Sequence, residues 1–278
     1  MTTAGPATQA VILARGLGTR MRRASGEQSA QGLDAAQDAA ASSGAKGMMP
    51  FARPFLDYSL SVLADAGIRE AVLVIGPEHL EMRRYFEATA AGRRVTLGFA
   101  VQAEPRGTAD AVLAARDAVR DAPFLVLNSD NLYPAEACRA AAAIGGSGLV
   151  AFDADALVSL GGIEAARVLK FALIDVDDSG MLRTIREKPA ADDPLALRAE
   201  RWVSMNLWSF TPAMFDACAR VRPSPRGELE LQDAVMMAIG ELGERFRVVQ
   251  ARAGVLDLSS RADVGFVGRQ LAAMDPRP

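Results

Sequence analysis

The chain has 278 residues, of which 50% are apolar and 23% charged, so a folded protein of one large or two modest domains is expected and wholesale disorder is excluded. Its 31 Lys and Arg against 34 Asp and Glu give a net charge of −3, which disfavours a nucleic-acid-coating protein or a polybasic membrane binder. Two cysteines and one histidine exclude a zinc cluster, a disulfide framework and any mechanism that needs two imidazoles, leaving carboxylates, Lys, Arg and a hard metal ion.

The first half of the chain alternates short apolar runs with helical patterns. Five runs predict strands, because they are apolar at nearly every position, as strands covered on both faces are: Ala10–Ala14, Ala71–Ile75, Val95–Val101, Phe124–Asn128 and Leu149–Phe152. The stretches between them predict helices at Pro54–Ala66, Glu78–Ala90 and Thr108–Val119. This alternation predicts an α/β protein with a mostly parallel sheet and helices on both faces.

The second half is richer in β patterns. Val168–Val176 and Met181–Glu187 predict a hairpin, because Asp, Ser and Gly fill the turn between them. The remaining predictions are a strand at Val203–Phe210, helices at Pro212–Val221 and Leu231–Leu242, short strands at Phe246–Gln250 and Val255–Leu258, and a helix at Arg261–Met274. No linker composition separates the halves, which favours one domain over residues 1–278, with the second part fused to the first sheet.

Residues 25–44 form a segment rich in Ala, Gln and Ser. Leu33–Ala41 has good helix propensity, and Gly44 stands where a helix would end. We favour a small surface helix inserted in a loop over the alternative, a specific lid.

No apolar run approaches the ~18 residues that a membrane helix needs. The run Ala10–Ala14 stops at Arg15, and no charged leader precedes it, so no secretory signal is visible. We therefore expect a cytoplasmic protein with no membrane partner.

The first strand runs directly into a glycine-rich turn, Gly16-Leu17-Gly18-Thr19-Arg20. Such a turn lets backbone N–H groups approach phosphate oxygens, and neighbouring arginines add positive charge: Arg15, Arg20, Arg22 and Arg23. From these residues alone, an ordinary tight turn is an equally good interpretation. The Walker ending and the GxGxxG fingerprint are both missing from the turn, which disfavours a nicotinamide dehydrogenase.

With its flanking residues, the segment Leu13–Arg20 resembles the signature loop of the sugar-1-phosphate nucleotidylyltransferases. Six further segments resemble motifs of that family in the same order: Lys46–Pro50 with Arg53–Tyr58, Gln102–Ala111, Leu127–Asn131, Glu187–Pro189, Gly227–Asp233 and Val255–Leu258. The resemblance covers about residues 9–265. It implies a GT-A-like, Rossmann-like fold with a nucleotide-binding half at 9–152 and a smaller β-rich sugar-phosphate-binding half at 153–265.

The resemblance also implies an activity. The family uses Mg²⁺ to transfer a nucleoside monophosphate from a nucleoside triphosphate to a sugar 1-phosphate, which yields a nucleoside diphosphate sugar and pyrophosphate. The attacking phosphate is already an anion, so a chain with one histidine can manage without a general base. Positioning and charge neutralisation are what the reaction requires. The expected partners are therefore the two small-molecule substrates, and apolar surface around the last helix would suit a homodimer.

Residue roles follow from the resemblance. Asp130 and Asp257 would hold Mg²⁺, whereas Arg20 and Lys46 would bind the triphosphate and stabilise the leaving pyrophosphate. The nucleotide-binding positions are Leu13, Ala14, Arg15, Gly16, Gly18, Thr19, Gln102, Gly107 and Thr108, with Gln102 and Gly107 at the base. The sugar-phosphate side comprises Lys188 for the attacking phosphate, Glu187 for the sugar hydroxyls, and Ala172 and Asn206 nearby.

Each assignment has a simpler alternative. Asp130 could cap the helix that begins near Pro134 or sit in a turn with Asn131. Asp257 could face solvent from a strand, and Glu187 with Lys188 could be an exposed strand end.

Four positions depart from the family's pattern. Arg15 replaces a small residue, Ser129 precedes Asp130 where glycine is usual, Ala172 follows Phe171 in place of a Tyr-Gly pair, and Asn206 stands where glycine often lies. These departures leave the sugar open, a cyclitol included, and Gln102 does not separate UTP or dTTP from GTP or ATP. They also motivate the alternative of a catalytically silent homologue that binds a nucleotide or nucleotide sugar and regulates a partner.

Overall fold

The computed structural model describes residues 5–16, 18–22 and 33–278. Leu17, Arg23 and residues 25–32, which entered the sequence interpretation, lie outside the described residues. Within the described part, no helix combines the length and the apolar character that crossing a bilayer demands.

Nine strands of the described residues form one sheet, in the order β10-β6-β9-β4-β1-β2-β3, with β7 against β9 and β8 against β7. The strands are β1 Gln9–Leu13, β2 Glu70–Ile75, β3 Thr96–Val101, β4 Phe124–Asn128, β5 Asn131–Leu132, β6 Gly148–Asp153, β7 Ala172–Val176, β8 Leu182–Arg186, β9 Trp202–Phe210, β10 Arg247–Ala251 and β11 Leu256–Asp257. Strands β4, β1, β2 and β3 are parallel, whereas β9 runs antiparallel between β4 and β6. Strands β5 and β11 form a separate antiparallel pair.

Helices cover both faces of the sheet. They are α1 Thr19–Arg22, α2 Ala35–Ser43, α3 Phe55–Asp65, α4 Leu80–Ala88, α5 Thr108–Ala114, α6 Ala135–Ala143, α7 Ala154–Ser159, α8 Ala165–Val168, α9 Ala213–Arg220, α10 Leu231–Glu241 and α11 Arg261–Leu271. Successive residues of β1 point to opposite faces. Ile12 packs in the core with α3, α6 and α11, and Val11 packs in the core with α5, α9 and α10. The predicted α/β architecture is confirmed.

Three local predictions were wrong. Strand β3 pairs only with β2 and is partly exposed, so it is an edge strand and not a strand covered on both faces. The first strand of the hairpin begins at Ala172, because residues 165–168 form the helical turn α8; short apolar runs do not distinguish a turn of helix from a strand. The helix expected to reach Val119 ends at Ala114, and a 3₁₀ turn, Arg116–Ala118, follows it.

The helix expected in the Ala-rich segment is present as α2. Asp34 caps its start through a reciprocal pair of hydrogen bonds with Gln37, and Gly44 ends it with a φ of 78°. A 3₁₀ turn at Lys46–Met48 then leads into α3. The carboxyl end of α2 therefore lies immediately before the turn that begins with Lys46.

Candidate functional site

A cavity of about 380 Å³ lies at the carboxyl ends of β1, β3 and β4. All nine residues that the sequence assigned to nucleotide binding line it, together with Arg20, Lys46 and Asp130. Ligands of open α/β sheets bind at this edge, because loops from several parallel strands converge there. The structure thus brings together residues separated by more than a hundred positions in the sequence.

The glycine-rich turn is shaped by contact with the end of α2. Gly18 has a φ of 59°, and a Cβ atom at this position would lie 2.6 Å from the carbonyl oxygen of Gly44. Only glycine tolerates both the left-handed backbone and so close an approach. The turn therefore rests against Gly44 just before α1 begins and projects Arg20 beside the cavity.

Lys46 and Asp130 both line the cavity and form an ion pair with each other, with Nζ and Oδ2 2.7 Å apart. Asp130 lies between β4 and β5, and both side chains are mostly buried. The first residue before α6 is Pro134, and no side chain caps that helix. The alternative in which Asp130 caps α6 is therefore wrong.

Asp257 lies beside the loop that carries Asp130. Strand β11 pairs with β5 in a register that sets Asp257 opposite Asn131, and the Leu258 N–H donates to the Asp130 carbonyl at 2.8 Å. The Asp257 side chain is only 4% exposed, so the alternative of a solvent-facing strand residue is wrong. Its Oδ1 accepts hydrogen bonds from Asn131 (3.0 Å) and Ser259 (2.9 Å), and Oδ2 accepts from Arg167.

Burial raises the pKa of Asp257 to about 6, and the negative charge of Asp130 adds to this rise, whereas Arg167 and Ser259 oppose it. The cation beside Asp257 is Arg167, and Asp257 lines neither this cavity nor the one at Glu187, whereas Asp130 lines the first. Mg²⁺ in proteins is commonly held by one or two carboxylates together with substrate phosphates and water. The described residues include no cluster of three or more His, Cys, Asp or Glu able to hold a metal ion, and Asp257 would have to exchange Arg167 for the ion in order to bind it.

The raised pKa of Asp257 implies a pH dependence of stability in the metal-free protein. A carboxyl group whose pKa is higher in the folded than in the unfolded chain contributes stability below pH ~4, and this contribution is lost as the pH rises through ~6. We expect the unfolding free energy of Asp257→Asn, minus that of the wild type, to grow as the pH rises from ~4 to ~7. Urea unfolding with a chelator present measures this difference, and a value that shrinks with pH would contradict the assignment.

Gln102 is held rigidly at the wall of the cavity. Its Nε2 donates to the Gly107 carbonyl at 3.0 Å and to Asp110 Oδ2 at 2.8 Å, while Arg106 pairs with the other oxygen of Asp110. A carbonyl and a carboxylate both accept, so only the NH₂ end of the amide can face them. The side-chain oxygen Oε1 of Gln102 is therefore the atom left to accept a hydrogen bond from a ligand. Sequence reasoning missed Asp110, although its place in the first turn of α5, beside Gly107, was a usable signal.

Position 107 requires a glycine because the backbone of Leu229 passes very close to it. It has a φ of 125°, and a Cβ atom here would lie 2.5 Å from the Leu229 carbonyl oxygen. The Ala109 N–H donates to that oxygen, and the hydroxyl of Thr108 accepts from the Leu231 N–H at 3.0 Å. The segment before α10 thus fixes the loop that carries Gly107.

Arg15 turns toward the ends of β2 and β3. Its guanidinium forms two hydrogen bonds with the Glu78 carboxylate, at 3.2 and 3.3 Å, and a third with the main-chain carbonyl of Gln102. Gly76 makes room for this pair, since a Cβ atom there would lie 2.4 Å from Arg15 Nε. The Arg15 side chain is therefore directed away from the turn by its ion pair with Glu78, which we call the Arg15–Glu78 clasp. Sequence reasoning did not identify Glu78.

This clasp gives Arg15 an expected role at the nucleotide side of the cavity. Replacing Arg15 with Ala removes a charged donor to the Gln102 main-chain carbonyl, and such hydrogen bonds contribute about 1.5–3 kcal/mol. Because this bond also exists without ligand, we expect only part of that energy to appear in binding: the KM for the nucleoside triphosphate should rise about 5- to 20-fold with kcat nearly unchanged, and Arg15→Lys should restore little. Steady-state kinetics with Arg84→Ala, an exposed arginine of α4, as the control would test this. An unchanged KM for Arg15→Ala would refute it.

Glu187 and Lys188 line a second cavity of about 340 Å³ with Arg226, Glu230 and Asp233. Glu228 lines the first cavity and Glu230 the second, so one short segment walls both. Glu187 and Lys188 are both exposed directly after β8, as the alternative of an exposed strand end expected. Partial desolvation within the cavity raises the pKa of Glu187, Arg226 opposes the rise, and the charges of Glu230 and Asp233 add to it. This carboxylate-rich wall offers hydrogen-bond acceptors suited to hydroxyl groups.

Ala172 and Asn206, the other residues expected near the sugar, line neither of these two cavities. Ala172 is buried at the start of β7. Asn206 has a φ of 59°, and its Oδ1 accepts from Trp208 and from Gln232, both at 3.3 Å. Asparagine is a residue that tolerates this left-handed conformation, which explains how it occupies a position where glycine is otherwise expected.

Comparison with known proteins identifies similar sequences and folds. The nucleotidyl transferase family matches residues 9–257. A low-salt glycan biosynthesis nucleotidyltransferase of Haloferax volcanii is 31% identical over 196 residues, covering 69% of this chain and 50% of that protein. A UTP–glucose-1-phosphate uridylyltransferase of the same organism is 27% identical over 236 residues, covering 83% of each chain. A glucose-1-phosphate thymidylyltransferase of Streptomyces griseus is 29% identical, and the match covers 57% of its length. The chain thus spans only about half the length of two of these three relatives, 50% and 57%.

Two solved structures share the fold. A UDP-glucose pyrophosphorylase complexed with UDP-glucose superposes with a TM-score of 0.71 at 17% identity, covering 96% of this chain and 98% of the other. The inositol-1-phosphate CTP transferase of T. maritima gives a TM-score of 0.70 at 18% identity, covering 97% and 96%. At these identities the likeness establishes the fold alone.

Proposed function

Because this chain belongs to the nucleotidyl transferase family, we propose that it transfers a nucleoside monophosphate from a nucleoside triphosphate to a sugar 1-phosphate or a sugar-like phosphate. One observation carries the proposal. The glycine-rich turn, Lys46, Gln102 with Gly107, and Asp130 line a single cavity at the carboxyl edge of the sheet. Two of the relatives, a UTP–glucose-1-phosphate uridylyltransferase and a glucose-1-phosphate thymidylyltransferase, bear names of the same reaction class, which supports the proposal.

In this reaction an oxygen of the sugar phosphate attacks the α-phosphorus of the triphosphate. A new P–O bond forms, the bond between the α-phosphorus and the bridging oxygen breaks, and pyrophosphate leaves with the electron pair. No proton must be removed from the nucleophile, which suits a site built of Lys, Arg and carboxylates. Arg20 and Lys46, both at the first cavity, would neutralise charge on the triphosphate and the leaving group.

Asp130 and Asp257 would hold Mg²⁺, because their oxygens offer the hard donors that this ion prefers. When bound, the ion supplies neutralisation of charge on phosphate oxygens. The Lys46–Asp130 pair places the lysine so that it can neutralise Asp130 before substrates arrive and contact a phosphate afterwards. The amide of Gln102 would accept a hydrogen bond from the base.

The second cavity would take the sugar. Lys188 would bind the attacking phosphate, and Glu187 would accept hydrogen bonds from hydroxyl groups. The segment from Glu228 to Glu230 walls both cavities, which supports binding of the two substrates side by side. A hexose 1-phosphate and a cyclitol phosphate both present the hydroxyls that this wall can recognise.

Pyrophosphate release tests the proposal. We expect release only when a nucleoside triphosphate, Mg²⁺ and a sugar or cyclitol phosphate are all present, in a panel that pairs five nucleotides with hexose, hexosamine and inositol phosphates. Omitting any one component should abolish the signal. Calorimetric binding of a nucleotide without turnover across the panel would overturn the catalytic proposal and favour the regulatory homologue.

A further inference from the structure

Arg261 connects three parts of the chain that meet behind the first cavity. It is the first residue of α11, four residues after Asp257, and it is 8% exposed. Its Nε donates to the Met21 carbonyl at 3.1 Å, its Nη2 donates to the Ser42 hydroxyl at 3.0 Å, and its Nη1 donates to the Asp38 carboxylate. One guanidinium thus joins α11 to α1 and α2.

These contacts require an arginine. The planar guanidinium offers donors along three edges, whereas a lysine ammonium could not span a carbonyl, a hydroxyl and a carboxylate on different elements. A buried charge is tolerated only when it is paired and hydrogen-bonded, and here Asp38 supplies the opposite charge. The site is therefore built for this side chain.

The elements held by Arg261 carry the triphosphate-binding residues. Helix α1 has four residues, too few for a self-supporting helix, and Arg20 immediately precedes Met21 within it. Helix α2 ends at Ser43, three residues before Lys46. Both Arg20 and Lys46 therefore depend on neighbouring structure for their positions.

Other contacts hold α1 against the carboxyl end of α2. Gly18 packs on Gly44, and the guanidinium of Arg22 donates to the Ser43 carbonyl at 3.1 and 2.7 Å. Arg261 adds the link from this pair of elements to α11, and so to the segment that carries Asp257. The inserted helix is thus part of a brace around the glycine-rich turn.

We propose that Arg261 is a positioning residue of the triphosphate site, acting through Met21 and α2 to hold Arg20 and Lys46 in place. The proposal rests on the proposed function, because it takes Arg20 and Lys46 to bind the triphosphate. It also gives α2 a role: the helix supports the turn from behind.

A double-mutant cycle between Arg261 and Arg20 tests this role. We expect Arg261→Ala to raise the KM for the triphosphate at least 10-fold while the KM for the sugar phosphate changes less than twofold. In an Arg20→Ala background the same change should raise the triphosphate KM by a clearly smaller factor than in the wild type, because one of the two residues that it positions is already absent. Arg261→Lys should recover little of the loss.

Arg269→Ala serves as the matched control, because Arg269 is exposed on the same helix and its loss should leave both KM values unchanged. Thermal melting verifies that each variant is folded. Hydrogen exchange gives a second readout, with faster exchange at residues 18–22 expected in Arg261→Ala and unchanged exchange in β1 and β4.

The outcomes separate the two proposals. If the wild type neither binds a nucleotide nor releases pyrophosphate, the proposed function fails. If the wild type is active and Arg20→Ala impairs it, but the effects of Arg20→Ala and Arg261→Ala multiply, Arg261 acts independently and the positioning role fails. A loss that raises both KM values equally would also overturn it.

Discussion

Replacing Asp130 with Asn should lower the rate of pyrophosphate release by about 1000-fold or more, because it removes a charged oxygen ligand from the proposed Mg²⁺ site. The change also leaves Lys46 without its partner at 2.7 Å and so alters the charge balance where the triphosphate would bind. Both effects fall on the step in which charge moves to the leaving pyrophosphate. The expected result is a loss of kcat that higher Mg²⁺ concentrations do not restore.

The fold should survive this substitution. Asparagine has the shape of aspartate, but it leaves the mostly buried Lys46 ammonium without its ionic partner, so the unfolding free energy should fall by about 1.5–3 kcal/mol, less than the total stability of a typical domain. Asp121→Asn, at an exposed position before β4, is the matched control and should keep full activity. Mn²⁺ titration followed by calorimetry provides a readout that does not depend on turnover. If Asp130→Asn retained activity within tenfold of the wild type, or bound Mn²⁺ equally well, the metal assignment would be wrong.

The positions of the buried parallel strands could be predicted from the sequence, because such strands give continuous apolar runs. The predicted strands Ala71–Ile75 and Phe124–Asn128 agree with β2 and β4 within one residue. The hairpin strand was placed too early because Val168 and Phe171 are apolar, yet the turn α8 is needed to present Arg167 to Asp257. That requirement is a tertiary contact, and no local pattern reports it.

The residues of the candidate site also fall into those that a local sequence pattern indicates and those that depend on a tertiary contact. Residues of the glycine-rich turn and of the strand ends were assigned through the resemblance, since the turn by itself allowed an ordinary tight turn equally well, and the structure places these residues at one cavity. Glu78, Arg167 and Arg261 could not be predicted, because each contributes through a partner 63 to 240 positions away. Ala172 was placed at the sugar by resemblance alone, and in the structure it is buried against β9.

A buried hydrogen-bond network around Asp57, none of whose members lines either cavity, is expected to contribute strongly to stability. Asp57, on α3, is completely buried and accepts hydrogen bonds from Arg93 at 2.9 Å and from the Tyr85 hydroxyl at 2.6 Å. Burial and this hydrogen bond raise the pKa of Tyr85 to about 12, so the phenol remains a donor at neutral pH. Arg93 also donates to the Thr89 carbonyl and lies 5.0 Å from the ring centre of Phe86. The network thus ties α3 to α4 and to the loop after it.

Arg93→Met should lower the unfolding free energy by about 3–5 kcal/mol, because it leaves the buried Asp57 carboxylate without its close cationic partner. The remaining cation, Arg53, is 3.8 Å away and its side chain is 53% exposed, so it compensates weakly. Urea unfolding measures the loss, with Arg139→Met, which breaks an exposed pair with Glu136, as a control expected to cost at most about 1 kcal/mol. Adding Asp57→Leu should recover part of the stability, since removing both charges avoids an unpaired one. If Arg93→Met cost no more than the control, Asp57 would not depend on Arg93 for its burial.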